Sequence, residues 1–126
     1  MPLRSHTAVR LAALASFGSG VIHVAVVTDH ARVWWVSGAF FALLAVFQLA
    51  WGVLAAAVPA VVSAGRLRTV LLASGILVNV SSATLWALTR WVTGEPFGPQ
   101  AGTELPIGPA GIASTGLEIA TISALG

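Results

Sequence analysis

The sequence has no cysteine, no lysine and no tyrosine, and only 8% of its 126 residues are charged. Without cysteine the chain forms no disulfide and offers neither a thiolate metal ligand nor a cysteine nucleophile. A soluble domain carries roughly 25% charged residues, so six arginines and four acidic residues are too few to cover a water-soluble globule of this length. This scarcity of charge excludes a soluble enzyme and a disordered segment.

The charge balance also argues against nucleic-acid binding. The sequence pI of about 11.3 comes from six arginines against four acidic residues, which leaves a net charge of +2. A protein that neutralises several phosphates presents a dense basic patch, and so small a net charge does not provide one. We therefore expect no nucleic-acid partner.

What the sequence has is long apolar runs, because 57% of its residues are hydrophobic and its mean hydropathy is +0.93. A helix that crosses a bilayer needs about 20 mostly apolar residues. Four stretches meet or approach that length, at about 8–27, 33–58, 69–92 and 109–126. The connections are a predicted outer turn at 28–32, an inner turn around 59–68 and an outer loop at 93–108. The sequence therefore predicts an all-α fold, a four-helix transmembrane bundle that forms a single multi-pass domain in the lipid bilayer of the cell membrane.

The two terminal stretches need separate arguments. Arg4 and Arg10 precede the first apolar run as they would in a signal peptide, but the run is long and no small-x-small cleavage site follows it, which favours a retained span. The last stretch is barely long enough to cross the membrane. We expect either that the native chain continues beyond Gly126 or that its end lies within the membrane boundary.

Arginine placement predicts the orientation of the bundle. Four arginines lie before the first stretch or between the second and third, and two lie on the opposite side: Arg4, Arg10, Arg66 and Arg68 against Arg32 and Arg90. Cytoplasmic loops carry the excess of basic residues, so we expect a cytoplasmic N-terminus. Trp34, Trp35 and Trp91 would then form an aromatic belt at the outer interface.

Each predicted span carries one conspicuous polar residue: His23, Gln48, Asn79 and Glu118. An ionisable side chain at the centre of a bilayer costs about 2.5–3.5 kcal/mol on insertion scales, so each requires a physical reason. Each also lies on a stripe of small or polar residues at helical spacing, and such stripes allow close approach of helices. We expect the four stripes to face one another, with Gln48 and Asn79 forming interhelical hydrogen bonds.

His23 and Glu118 are the candidates for function. An imidazole and a carboxyl group that meet in a medium of low dielectric could hold a proton, a metal ion or a quinone-type head group. The alternative is a structural pair, or a protonated Glu118 that hydrogen-bonds to a neighbouring helix.

A second candidate, at the outer mouth, is the group His23, Asp29 and His30, whose imidazole and carboxylate ligands suit zinc or copper. Two histidines seven residues apart lie about 10 Å apart along a helix, so they share an ion only if the chain bends after Val27. The alternative is a solvated His30 beside Asp29. We predict no other cofactor.

Known catalytic arrangements are absent from the sequence. A membrane b-type haem takes two axial ligands from the protein, and His23 is the single histidine inside a predicted span, which disfavours a haem held by one chain. No catalytic triad, phosphate loop or metalloprotease motif occurs. We therefore expect a protein that is not an enzyme.

The run from His23 to Trp51, with DH at 29–30, VWW at 33–35, GAFF at 38–41 and Gln48, resembles small uncharacterised four-helix membrane proteins of actinobacteria. The loop sequence EPFGP at 95–99 is similar as well. The resemblance implies a four-span fold and an Ala/Val/Arg-rich, lysine-free composition, and it implies no activity and no catalytic residue.

Two functions follow from these observations. The first is a non-enzymatic accessory subunit that docks into a larger membrane complex, because the soluble portion is tiny and small-residue stripes are numerous. We expect its protein partners to be other membrane-protein subunits or further copies of the chain. The alternative is a small metal-ion or proton binding or transport protein that uses His23 and Glu118, with Asp29 and His30.

Overall fold

The computed structural model describes residues 5–57 and 65–126, which form four helices and no strand. The helices are α1 (His6–Val33), α2 (Trp35–Ala57), α3 (Arg66–Trp91) and α4 (Pro109–Leu125). The prediction of an all-helical fold is therefore confirmed. Arg4 and most of the inner turn predicted at 59–68 lie outside the described residues.

The outer turn predicted at 28–32 is wrong, because α1 continues through this segment to Val33. No glycine or proline interrupts residues 28–33, and Arg32 pairs with Asp29 one turn earlier. The basic residues His30 and Arg32 lie in the last turn, where positive charge suits the helix dipole. Trp34 is consequently the single residue between α1 and α2.

Three of the helices, α1 to α3, are long and apolar enough to cross a membrane, while α4 has 17 residues. Large apolar side chains such as Leu14, Leu43 and Leu77 are exposed, each by about two thirds or more. Among the described residues, fully buried side chains are more often polar than apolar. Apolar surfaces and small or polar interiors are typical of helices that pack in lipid.

The helices do not pack equally. The contacts of α1 with α2 are the most extensive, followed by those of α1 with α4 and of α3 with α4, and α2 and α3 make few contacts with each other. At one end of the bundle, which we call the core end, the interior is filled by an apolar cluster: Val9, Ala12, Ala13, Trp51, Ala55 and Leu125. Trp51 donates a hydrogen bond to the Leu71 carbonyl, at 2.7 Å, and its indole lies directly on Gly75.

The opposite end, the loop end, is covered by residues 92–108. Backbone bonds between Glu95 and Thr103, and from Leu105 to Thr89 on α3, hold this loop in place. Gly98 has a φ of +87° and lies against the Trp34 indole, where a Cβ atom would come within 2.5 Å of the ring. Only glycine fits there without strain, so the loop is fixed over the junction of α1 and α2.

Candidate functional site

The polar stripes of all four helices meet in the middle of the bundle. We call the cluster they form the polar network, and its members are Ser19 and His23 of α1, Gln48 of α2, Asn79 and Ser82 of α3, and Glu118 of α4. Ser19, Gln48, Asn79 and Glu118 are at most 1% exposed. The structure thus brings together the four conspicuous polar residues of the sequence.

The hydrogen bonds of the network determine which of its atoms donate and which accept. The Asn79 amide donates to the Gly75 carbonyl at 2.8 Å, which leaves Asn79 Oδ1 to accept from Gln48 Nε2 at 3.3 Å. Gln48 Oε1 is then an acceptor, and it lies 2.7 Å from His23 Nδ1. His23 therefore carries a proton on Nδ1, because an amide oxygen has no hydrogen to donate. In the neutral imidazole this leaves Nε2 as an acceptor.

Glu118 uses one of its two carboxyl oxygens. Oε1 accepts hydrogen bonds from Ser82 at 2.7 Å, Gln48 at 3.0 Å and Ser19 at 3.3 Å, and it lies 3.8 Å from His23 Nε2. Oε2 receives no hydrogen bond from the described residues. Both His23 and Glu118 line a cavity. His23 Nε2 and Glu118 Oε2 therefore keep hydrogen-bonding capacity for a group inside that cavity.

The cavity occupies the loop end of the bundle and has a volume of about 520 Å³. Its polar floor is formed by His23, Ser82 and Glu118. Its walls are largely apolar and aromatic, and they include Val26, Trp34, Phe40, Phe41, Leu85 and Trp86. Ligand sites of about 300–1,000 Å³ that combine apolar walls with a few convergent polar groups are typical of small-molecule binding.

Arg90 and Trp86 lie on the α3 wall above the floor. The Arg90 guanidinium carbon is 5.1 Å from the centre of the Trp86 ring, and Nη1 donates to Thr89 Oγ1 at 2.8 Å. The sequence indicated Arg90 only as a marker of orientation. Ser82, Trp86 and Arg90 recur at intervals of four residues on α3, and this spacing was the signal that could have placed Arg90 on the same face as the network.

Asp29 and His30 do not join the His23–Glu118 pair. Asp29 is three quarters exposed and pairs with Arg32 at 3.3 Å, while His30 Nδ1 bonds to the Val26 carbonyl at 2.9 Å. Because α1 stays helical to Val33, there is no bend after Val27 that would bring the two histidines to one ion. Within the described residues, no group of three or more His, Asp or Glu side chains could hold a metal ion, and the metal hypothesis gains no support.

Comparisons of the chain with models of protein families, with curated proteins and with solved structures found no match. The resemblance to actinobacterial membrane proteins therefore stays a prediction. What the site does has to be argued from its own geometry.

Proposed function

We propose that the chain is a small integral membrane protein that binds an amphipathic small molecule in the loop-end cavity. Four helices cross the plasma membrane in this proposal, and the N-terminus lies in the cytoplasm. The observation that carries the proposal is a cavity of about 520 Å³ with aromatic walls and a buried polar floor. Protein interiors are otherwise close-packed, and an open volume of this size with convergent polar groups is typical of a small-molecule site.

The floor favours a ligand with a hydroxyl group. His23 Nε2 accepts a hydrogen bond when the ring is neutral, and Glu118 Oε2 is the carboxyl oxygen that the network does not use. In a medium of low dielectric an unpaired polar group is costly, so a ligand hydroxyl that donates to one of these two acceptors stabilises the bound state. The aromatic walls, with Phe41 and Trp86 among them, suit a flat or alicyclic apolar body.

The route into the cavity favours a ligand that dissolves in the bilayer. The loop at 92–108 covers the loop end, whereas α2 and α3 line the cavity and make few contacts with each other. An apolar molecule in the membrane would therefore reach the floor sideways, between these two helices.

The test is calorimetric titration of the protein in lipid nanodiscs with 1-naphthol, an apolar probe that carries one hydroxyl group. We expect saturable binding to the wild type and loss of binding in Ala110→Trp, because Ala110 lines the cavity and a large ring there fills it. The matched control is Ala113→Trp, which adds the same ring on α4 at an exposed position that does not line the cavity. Equal titrations of both variants and the wild type would refute the proposal.

The topology has its own test. A reporter inserted after Gly65 should report the cytoplasm and one inserted at Ala101 the outer side, because α3 alone separates them. Finding both reporters on the same side would remove the four-span arrangement.

The accessory-subunit interpretation stays a prediction, and it is compatible with a ligand site in the same chain. Purification in mild detergent checks it, because a stoichiometric partner protein would support it and an isolated chain or homo-oligomer would not support docking. Proton handling is favoured by one observation, the 3.8 Å approach of His23 Nε2 to Glu118 Oε1, and it is addressed by the Glu118 variant in the Discussion.

A further inference from the structure

Arg90 is a half-buried cation that forms no ion pair with the described residues. No carboxylate among them lies within 4.0 Å of its guanidinium. Nη1 donates to Thr89 Oγ1 and, at 3.5 Å, to the Trp86 carbonyl. Nε is fully buried without a hydrogen-bond partner, and Nη2 has no partner among the described residues. Because Nε has no accessible surface, a bound molecule can reach only Nη2 of these two nitrogens. A half-buried cation with a free donor favours an anionic acceptor.

The neighbouring acidic groups do not supply that acceptor. Asp29 is exposed and paired with Arg32. Glu118 belongs to the floor, where Ser82 lies two helical turns from Arg90, about 12 Å along α3. Glu95 lies close enough to attract Arg90 electrostatically, but it forms no ion pair with it. Arg90 lines the cavity, and Nη2 is its unpaired nitrogen that is not buried.

We propose that the Arg90 guanidinium binds the carboxylate of the ligand through Nη2, so that the cavity takes a lipophilic carboxylic acid in its ionised form. The inference rests on the proposed function, since it names the class of molecule that the cavity binds. A hydrogen bond from a guanidinium to a carboxylate is roughly twice as strong as one between neutral groups. A phosphate dianion fits less well, because its second charge would face Glu95 and Glu118 with one cation to balance it.

The ligand's apolar body then extends from Arg90 towards the floor. The guanidinium is folded back over Trp86, which lies one helical turn from Ser82, or about 6 Å along the axis. That separation accommodates a ring between the acid group and the floor, and Phe41 of α2 also lines the cavity. The floor bonds to a second polar group when the ligand has one.

The experiment compares 1-naphthoate, which is ionised at neutral pH, with its neutral amide 1-naphthamide and with 1-naphthol, all titrated calorimetrically in nanodiscs. We expect the wild type to bind 1-naphthoate at least about tenfold more tightly than 1-naphthamide, because hydrogen bonds to charged groups are stronger than those between neutral groups; tenfold corresponds to about 1.4 kcal/mol. Arg90→Gln should remove that preference, so that 1-naphthoate and 1-naphthamide bind the variant with similar affinity.

Two variants sharpen the result. Arg32→Gln removes an arginine near the same end that is exposed and does not line the cavity, and it should bind like the wild type. Glu95→Gln removes a competing negative charge and should raise the affinity for 1-naphthoate a few-fold. Thermal unfolding of each variant in the absence of ligand separates a lost site from a lost fold.

The outcomes distinguish this inference from the function on which it rests. If 1-naphthol binds and Ala110→Trp blocks it, but 1-naphthoate shows no preference that depends on Arg90, the carboxylate assignment is overturned and the cavity proposal stands. If 1-naphthoate binding depends on Arg90 but is unaffected by Ala110→Trp, the anion site lies outside the cavity, which overturns the inference, and the cavity proposal is decided by the 1-naphthol titrations. If no probe binds the wild type, the function and the inference fail together.

Discussion

The two ends of the bundle are built from the same four helices but are filled in opposite ways. At the core end, small residues such as Ala12 and Ala55 let the backbones approach, and the Trp51 indole fills the remaining space against Gly75. At the loop end the large rings stand around an open volume instead of filling it. Aromatic side chains in this protein therefore have two uses: they fill the interior at the core end and line an open cavity at the loop end.

The largest effect is expected from overfilling the core end. In Gly75→Leu the new side chain would collide with the Trp51 indole. Inserting atoms into a packed interior typically lowers the unfolding free energy by about 1–3 kcal/mol. Val70→Leu is the control, because Val70 is exposed on the same helix and should change the unfolding free energy by less than about 0.5 kcal/mol. Equal thermal stabilities of the two variants in detergent would contradict the described packing.

A smaller effect is expected from removing the same two methyl groups at each end. Val9 is fully buried in the core end, whereas Val26 is half-buried on the cavity wall. Val9→Ala should destabilise the fold by about 1–2 kcal/mol through lost contacts and a new void. Val26→Ala should cost less than half of that, because part of its side chain already faces an open volume. Chemical denaturation in mixed micelles measures both, and equal losses would show that the loop end is packed like the core end.

The smallest effect on stability is expected at the polar network between the two ends. Glu118→Gln keeps the shape and can still accept hydrogen bonds from Ser82 and Gln48, and intramembrane hydrogen bonds average about 0.6 kcal/mol. If His23 and Glu118 form a structural pair, the variant should assemble normally with little loss of stability. If they relay a proton or hold a cation, the same change should abolish that activity while leaving assembly intact, because the charge is lost and the shape is kept.

Elemental analysis tests whether His23 and Glu118 hold a metal ion. Metal in the purified wild type that is lost in both Glu118→Gln and His23→Ala would revive the metal hypothesis. A metal-free wild type would remove it. Metal that is unchanged in both variants would move the site to Asp29 and His30 or to a partner chain. Proton flux into vesicles that contain the wild type or either variant tests whether His23 and Glu118 relay a proton.

Hydropathy sufficed to predict the helices, because an apolar run of membrane length is typical of a helix that crosses a bilayer. The four polar residues could be predicted to converge for a related reason, since lipid offers no partner to His23 or Glu118. The end of α1 was not predictable from hydropathy, because Asp29, His30 and Arg32 lower the hydropathy of a segment that still forms a regular helix. Hydropathy indicates whether a segment lies in lipid or in water, and it does not indicate the residue at which a helix ends.

The cavity could not be predicted from the sequence, for a different physical reason. Its volume depends on the separation of α2 and α3, which is set by how both helices pack on α1 and α4. No single segment encodes that separation. Arg90 was missed because an arginine near the end of a predicted span is common at the membrane interface, and its unpaired Nε atom becomes visible only in three dimensions.

Because Trp34 is the single residue between α1 and α2, it limits where the chain can gain or lose residues. Gly38 of α2 packs directly on Ala31 of α1 beside Trp34, so the connection between the two helices cannot change its length without disturbing this contact. Each residue of an α-helix advances its direction by about 100°, and an inserted residue that extended α2 would turn Gln48 away from His23. We therefore expect insertions and deletions to be excluded at Trp34.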